Sequence, residues 1–260
     1  MNTKYELSNI QNISLDEIYT ECSGPGGLRL VDFLAKKMGI ETGKKLLDAG
    51  ANRGFPTCYL TKKYNTFTIA IDPWDDRTSQ RPQVDYITEN ASKWNVADRL
   101  IAMKLALPET FFANGTFDYV YSTTTLEMIR TLEGEEGYRN AVKEIFRVLK
   151  PGGIFGLAEP MHLETEIPED LIPYLSQESF AWKDCFKSLS HTLEAIYAAG
   201  FEVVEADYAP DANLWWQEYA AHDPYCKLNP DEDPKTLAVD NGRWTSFGYI
   251  VARKPLGIIK

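Results

Sequence analysis

Short apolar runs separated by segments of helical periodicity constrain this chain more than any other feature. Residues 45–48, 66–71, 100–103, 117–121, 154–158, 201–205 and 247–251 have the length and composition of strands. Between them lie amphipathic stripes. Leu28, Val31, Leu34 and Met38 mark an early helix, and Val142, Ile145, Phe146 and Leu149 recur at i, i+3, i+4 and i+7. Pro151-Gly152-Gly153 reads as the stop of that helix and a turn into the next strand. Leu193, Ile196 and Tyr197 form a shorter stripe closed by Gly200. Alternation of this kind predicts an α/β fold, a mostly parallel sheet covered by helices on both faces. Two stretches break the pattern. Residues 160–190 mix prolines, acids and aromatics, and residues 207–245 carry Pro210, Pro224, Pro230 and Pro234 around Leu214-Trp215-Trp216. Both read as insertions after strand ends, where such sheets grow lids.

At 260 residues and 44% hydrophobic, the chain is long enough for a sizeable core. We read residues 1–260 as one domain, with 1–30 as an N-terminal cap and 160–190 and 207–245 as lid or acceptor insertions. Lys and Arg total 27 against 38 Asp and Glu, a net charge of −11. A surface of that sign repels polyanions, so neither nucleic acid nor an anionic membrane is an expected partner. Cys22, Cys58, Cys185 and Cys226 are scattered, without CxxC pairs or a nearby His at ligand spacing. No zinc or other metal site is expected, and reduced thiols in a cytoplasmic protein are. The start of the chain lacks a charged-then-apolar secretory pattern, and no run of 18 apolar residues predicts a spanning helix. The oligomeric state is left open.

The chemistry is concentrated in Leu46-Leu47-Asp48-Ala49-Gly50-Ala51-Asn52-Arg53-Gly54-Phe55-Pro56-Thr57. A strand ends, a glycine loop follows, and a helix begins near Pro56, a favoured first-turn residue. Gly50 and Gly54 let a ligand approach the backbone, and the helix start offers N–H groups. Asp72 follows the next apolar run, where an acid accepts hydrogen bonds from ribose hydroxyls. The pair of signals predicts a nucleoside-containing cofactor.

These segments resemble the class I S-adenosylmethionine (SAM) dependent methyltransferases, of the methyltransferase type 11 kind. The family's acid-x-Gly-x-Gly-x-Gly motif runs from Asp48 through Gly50 to Gly54, with Asn52 in place of the middle glycine. Asp72 matches its second-strand acid, 117–120 its fourth strand, and Arg147-Val148-Leu149-Lys150-Pro151-Gly152-Gly153 its approach to the fifth. The resemblance covers about residues 25–160 well and the later strands more loosely. It implies a Rossmann-like sheet of seven strands, the last antiparallel at an edge, with SAM across the C-terminal ends of the first strands. Asp48, Gly50, Ala51, Asn52 and Gly54 would lie near the donor, Asp72 at the ribose, Pro73 and Trp74 near the adenine. Many relatives carry an acid after the third strand; here Leu105 and Ala106 stand there and would hold adenine through backbone and apolar contact. Ser122 opens the loop that faces the methionine moiety. A nicotinamide enzyme would show a tighter GxGxxG and no Leu-Lys-Pro-Gly-Gly element.

The acceptor side is less explicit. Residues 18–27 resemble the segment before the core of phosphoethanolamine and related amine N-methyltransferases, with Tyr19 in place of the tyrosine that closes over SAM; the same residues also read as a Gly/Pro turn before a helix. Glu127 stands where those enzymes place a catalytic His, to hold an amine or take its proton, or else as a solvated helix-start acid. Trp215, Trp216, Tyr219, Tyr225 and Trp244 read as a cation-attracting lid or as the core of an insertion. His162, His191, His222 and Glu159 are further acceptor-side candidates. The expected function is therefore methyl transfer from SAM to a small molecule, first an amine nitrogen, by in-line displacement. The alternatives are an oxygen, carbon or sulfur acceptor, or a regulatory SAM-binding protein without catalysis.

Overall fold

The computed structural model describes residues 13–22, 24–76, 79–175 and 181–257. Residues 1–12 and Ser23 of the expected cap, and 176–180 of the first insertion, lie outside the described residues. The elements run α1 (Leu15–Glu21), α2 (Gly27–Met38), β1 (Lys45–Ala49), α3 (Phe55–Tyr64), β2 (Phe67–Ile71), α4 (Gln83–Lys93), β3 (Leu100–Met103), β4 (Phe117–Thr123), α5 (Leu126–Val148) and β5 (Leu149–His162). They continue α6 (Trp182–Cys185), β6 (Lys187–Ser188), α7 (Leu189–Ala198), β7 (Glu202–Tyr208), α8 (Ala212–His222), α9 (Pro224–Leu228), α10 (Asp233–Asp240) and β8 (Thr245–Arg253).

The strands lie in the order β3-β2-β1-β4-β5-β8-β7. Pairing is parallel from β3 through β5, and β8 runs antiparallel to both β5 and β7. The last strand is therefore antiparallel, but it sits between two neighbours and not at an edge; β7 holds the edge. An eighth strand, β6, has two residues and pairs with the end of β5 through Met161 and His162. It was too short to give a periodic signal.

Burial on both faces explains the apolar composition of the central strands. Successive residues point to opposite sides: Leu46 joins the core under α2, α3 and α4, while Leu47 joins the one under α5 and α7. Packing is close enough at β5 that a side chain at Gly156 would strike Met38 of α2. The helix of the Val142–Ile145 stripe ends at Val148, and the chain is already extended at Leu149. Pro151-Gly152-Gly153 lies inside β5, at a register shift against β4, and does not form a turn between helix and strand. The Lys254 ammonium closes the end of α5 by donating to the carbonyls of Phe146 (2.7 Å), Arg147 (3.4 Å) and Leu149 (2.8 Å).

The first insertion begins as strand, because β5 continues to His162, and then holds α6 and β6. The second holds α8, α9 and α10. Trp215, Trp216 and Trp244 are buried, and Trp182, Phe186, Trp216, Tyr219 and Phe247 form one aromatic cluster. The tryptophans are thus the core that fastens the insertions to the sheet, whereas Tyr225 is half exposed.

Candidate active site

The strand order reverses beside β1: β2 and β3 lie on one side of it, β4 and β5 on the other. The crevice beyond the C-terminal ends at such a reversal is where open α/β sheets take ligands. The loop after β1 occupies it. Gly50 and Ala51 both donate to the Ile71 carbonyl, at 2.9 and 3.0 Å, which ties the loop to the end of β2. Gly50, Asn52 and Gly54 have φ 87, 47 and 74, so the chain passes three times through left-handed backbone before α3. Asn tolerates that conformation, which accommodates the missing middle glycine.

The glycines are required first by packing. Gly50 has φ 87, and a methyl group there would land on the Thr125 side chain. At Gly54 it would come within 2.9 Å of Ile87. The start of α5 is thereby pressed against the glycine loop, and Ser122 joins the same seam by donating to the Ala49 carbonyl at 2.9 Å. Thr125, which meets Gly50, was not legible in the sequence, since nothing local distinguishes it from Thr123 and Thr124.

Asp72 is the hub. Its Oδ2 accepts the Asn52 N–H at 2.8 Å and its Oδ1 accepts the Trp74 N–H at 3.0 Å. Each carboxylate oxygen keeps acceptor capacity beyond that one bond, which suits a vicinal pair of hydroxyls. Burial raises its carboxyl, and the two backbone N–H groups oppose the rise. Pro73 and Trp74 next to it are exposed, with the indole 43% accessible at the rim. Asp48 is different: it is buried and accepts from Thr57 Oγ1 at 2.5 Å. Burial pushes it up to about 7, opposed by the Thr57 hydroxyl and reinforced by the charge of Asp72. Asp48 therefore anchors α3 to β1 from below the loop. Leu105 is partly buried and Ala106 exposed beyond β3, with the Leu105 N–H bonded back to Met103.

Tyr19 lies on α1, buried, with its hydroxyl donating toward Glu218 Oε2 (3.3 Å) and the Trp215 carbonyl (3.5 Å) of α8. Arg29 of α2 pairs with the same Glu218 at 3.1 Å. The N-terminal helix is thus clasped to the second insertion. The histidines have structural partners: His162 stacks on Trp244, His191 meets Glu135 and His222 meets Asp16.

Glu127 is neither solvated nor a simple helix-start acid. It is 3% exposed on the first turn of α5, and burial and then the charge of Glu159 drive it well above the ordinary carboxylate range. Glu159, at the end of β5, is fully buried and accepts from Tyr138 Oη (3.1 Å) and Arg130 Nη1 (3.4 Å). Arg130 and Tyr138 carried no signal as site residues, because an Arg three positions after a Glu on a helix ordinarily marks a solvated face. Among the described residues, no group of three or more His, Cys, Asp or Glu is arranged to hold a metal ion, and no helix is long and apolar enough to cross a membrane.

Residues 47–157 match the family model described as a methyltransferase domain. The chain is 30% identical over 194 residues to the sterol 24-C-methyltransferase erg6 of Aspergillus fumigatus, covering 72% of this chain and 48% of that one. It spans about half the length of the curated relatives it matches first. The phosphoethanolamine N-methyltransferase 2 of Haemonchus contortus superposes with a TM-score of 0.71 at 19% identity, covering 93% of this chain and 57% of that one. The [4+2]-cyclase SpnF superposes with a TM-score of 0.67 at 21% identity, over 88% and 81% of the two chains. The methyltransferase-domain match spans β1 through β5, including the glycine loop, Asp72 and Glu127, and with these relatives it assigns the chain to the class I SAM-dependent methyltransferases.

Proposed function

We propose that this chain binds SAM in the crevice beyond β1, β2 and β4 and directs its methyl group to a small-molecule acceptor. The carrying observation is Asp72, a carboxylate fixed at the end of β2 by two backbone N–H groups with acceptor capacity to spare. In this reading Asp72 takes the ribose hydroxyls, and Gly50, Ala51, Asn52 and Gly54 shape the wall beside the methionine moiety. Pro73, Trp74, Leu105 and Ala106 flank the adenine, and Ser122 fixes the floor between β1 and β4. Asp48 holds α3 in place beneath them. The bound sulfonium supplies an electrophilic methyl group and a neutral leaving group, so alignment is the main demand on the protein.

Tyr19, through Glu218, holds α1 and α8 together as the cover of the acceptor space, and residues 1–260 act as one domain with the two insertions forming that cover. Glu127, under α6 at the start of α5, is the group that takes a proton from the acceptor. Carbon ranks above an amine nitrogen as the acceptor atom, because the curated relatives' names denote carbon methylation, while the phosphoethanolamine enzyme is alike in fold only. The net charge of −11 agrees with a small molecule in preference to a nucleic acid.

A second reading is a SAM-binding protein that catalyses no methyl transfer. Asn52 in the glycine loop favours it, and the likeness to a structure named a cyclase makes the fold a weak guide to the reaction. Incubation with methyl-labelled SAM and a lipid-rich metabolite extract separates the two. Label in a small organic product supports the first reading; label in protein or nucleic acid removes the small-molecule acceptor, and SAM bound without transfer supports the second reading.

A further inference from the structure

Glu127 and Glu159 present an electrostatic problem that the donor site does not explain. Both side chains are more than nine-tenths buried, and among the described residues Glu127 Oε2 and Glu159 Oε2 each lack a hydrogen-bond partner. A buried carboxylate oxygen without a donor is strongly disfavoured. The two residues do not have equal support. Glu159 accepts from Tyr138 Oη, from Arg130 Nη1 and from the Glu127 backbone N–H. Among the described residues, Glu127 accepts from the N–H groups of its own residue and Thr125, and it faces the charge on Glu159.

We infer that the two carboxyl groups hold one proton between them at neutral pH, carried by Glu127, so that Glu159 is a positioning residue that governs when Glu127 can accept a proton. A proton on Glu127 removes one of two like charges from this buried site. It also leaves the buried pair with one negative charge, held beside Arg130, whose guanidinium lies 3.6 Å from the Tyr138 ring centroid. The other groups around the pair preserve this division. Glu135 of α5 pairs with Arg130 and with His191 of α7. Cys185 of α6 lies near Glu127, and Lys187 of β6 lies near Glu135. Burial is the first cause raising both glutamates, and the Arg130 charge opposes the rise in each.

This inference rests on the proposed methyl transfer for its consequence, though not for its physical content. Replacing hydrogen by methyl on the acceptor forms one bond to the methyl carbon and breaks the carbon–sulfur bond, whose electron pair stays on sulfur. The acceptor's C–H or N–H bond then breaks, its electron pair stays on the acceptor, and the proton passes to Glu127 Oε2. That step requires the shared proton to have left, so turnover rises with pH as the pair ionises. Loss of Glu159 removes the like charge and leaves Arg130 facing Glu127, which then ionises at lower pH.

Infrared titration reads the proton directly, without an acceptor. The spectrum of the chain minus that of Glu127→Gln, in which the buried acid Asp48 cancels, should show the carbonyl stretch of a buried protonated carboxylic acid at neutral pH. In Glu159→Gln the same band should be lost at a pH lower by at least about one unit, while Glu159→Asp retains the original titration. Either Gln variant decides the matter if the other fails to fold. A wild-type spectrum at neutral pH identical to that of Glu127→Gln, or a band whose titration Glu159→Gln leaves in place, overturns the inference. SAM binding measured on the same samples reports separately on the proposed function, and its absence leaves the infrared result intact.

Discussion

Replacing Asp48 by Asn should stabilise the fold, and more so as the pH rises. Asp48 is buried beneath the glycine loop, and it ionises near pH 7 in the folded chain against an ordinary 3.8. Between those values the folded chain keeps a proton that the unfolded chain has released. Stability therefore falls as pH rises from about 4 to about 7. A gap of about three pH units at about 1.4 kcal/mol each sets a ceiling of about 4 kcal/mol above pH 7. Asn stays neutral and keeps an oxygen for Thr57 Oγ1, so the penalty is removed while the hydrogen bond survives. Urea unfolding of both proteins across this range isolates the effect, because groups away from Asp48 titrate alike in the two. The difference in unfolding free energy should grow from near zero at about pH 4 to between about 2 and 4 kcal/mol at about pH 8. Parallel stability curves, or a variant less stable at about pH 8, would refute the assignment of Asp48 as a buried acid that titrates with folding.

Other consequences are equally concrete. Gly50→Ala places a methyl on Thr125 at φ 87, so thermal unfolding should show a loss of more than about 2 kcal/mol, part of it recovered by adding Thr125→Ala. Lys254→Met keeps the apolar stem but removes the donor to three carbonyls at the end of α5. Chemical denaturation should register a loss of about 1–2 kcal/mol. Glu127→Gln should slow methyl transfer roughly 100-fold or more while SAM affinity stays within about twofold; an unchanged rate removes Glu127 from the chemistry.

The sheet was legible because its strands are apolar on both faces and bounded by turn residues. Each of the seven expected runs falls on a strand, with Thr66 and Phe201 one residue ahead of theirs, and the Asp48 loop and Asp72 meet through Asn52 as their spacing implied. The features that escaped depend on contacts distant in sequence. The insertion of β8 between β5 and β7 is a choice of pairing partner that its own composition does not encode. Pro151-Gly152-Gly153 resembles a turn in isolation, yet pairing of Leu149 and Ile154 on either side with β4, and bonds of Gly152 and Gly153 to Lys254, keep it within β5. Trp215 and Trp216 gave a pattern equally suited to lid and core until Phe33, Trp182 and Phe247 filled the space around them. Arg130 is the clearest case: three residues after Glu127 on a helix, it reads as solvated, and only Glu159, arriving from β5, makes it a buried counter-charge.

The account depends on the carboxylate at the end of β2 holding the ribose of SAM. Calorimetric titration of SAM into the wild-type chain and into Asp72→Ala tests that directly. Binding by the wild type, weakened roughly 10- to 150-fold in a folded variant, matches the loss of about 1.5–3 kcal/mol expected for hydrogen bonds to a charged acceptor. Equal affinities in the two proteins, or no binding by the wild type, would contradict it.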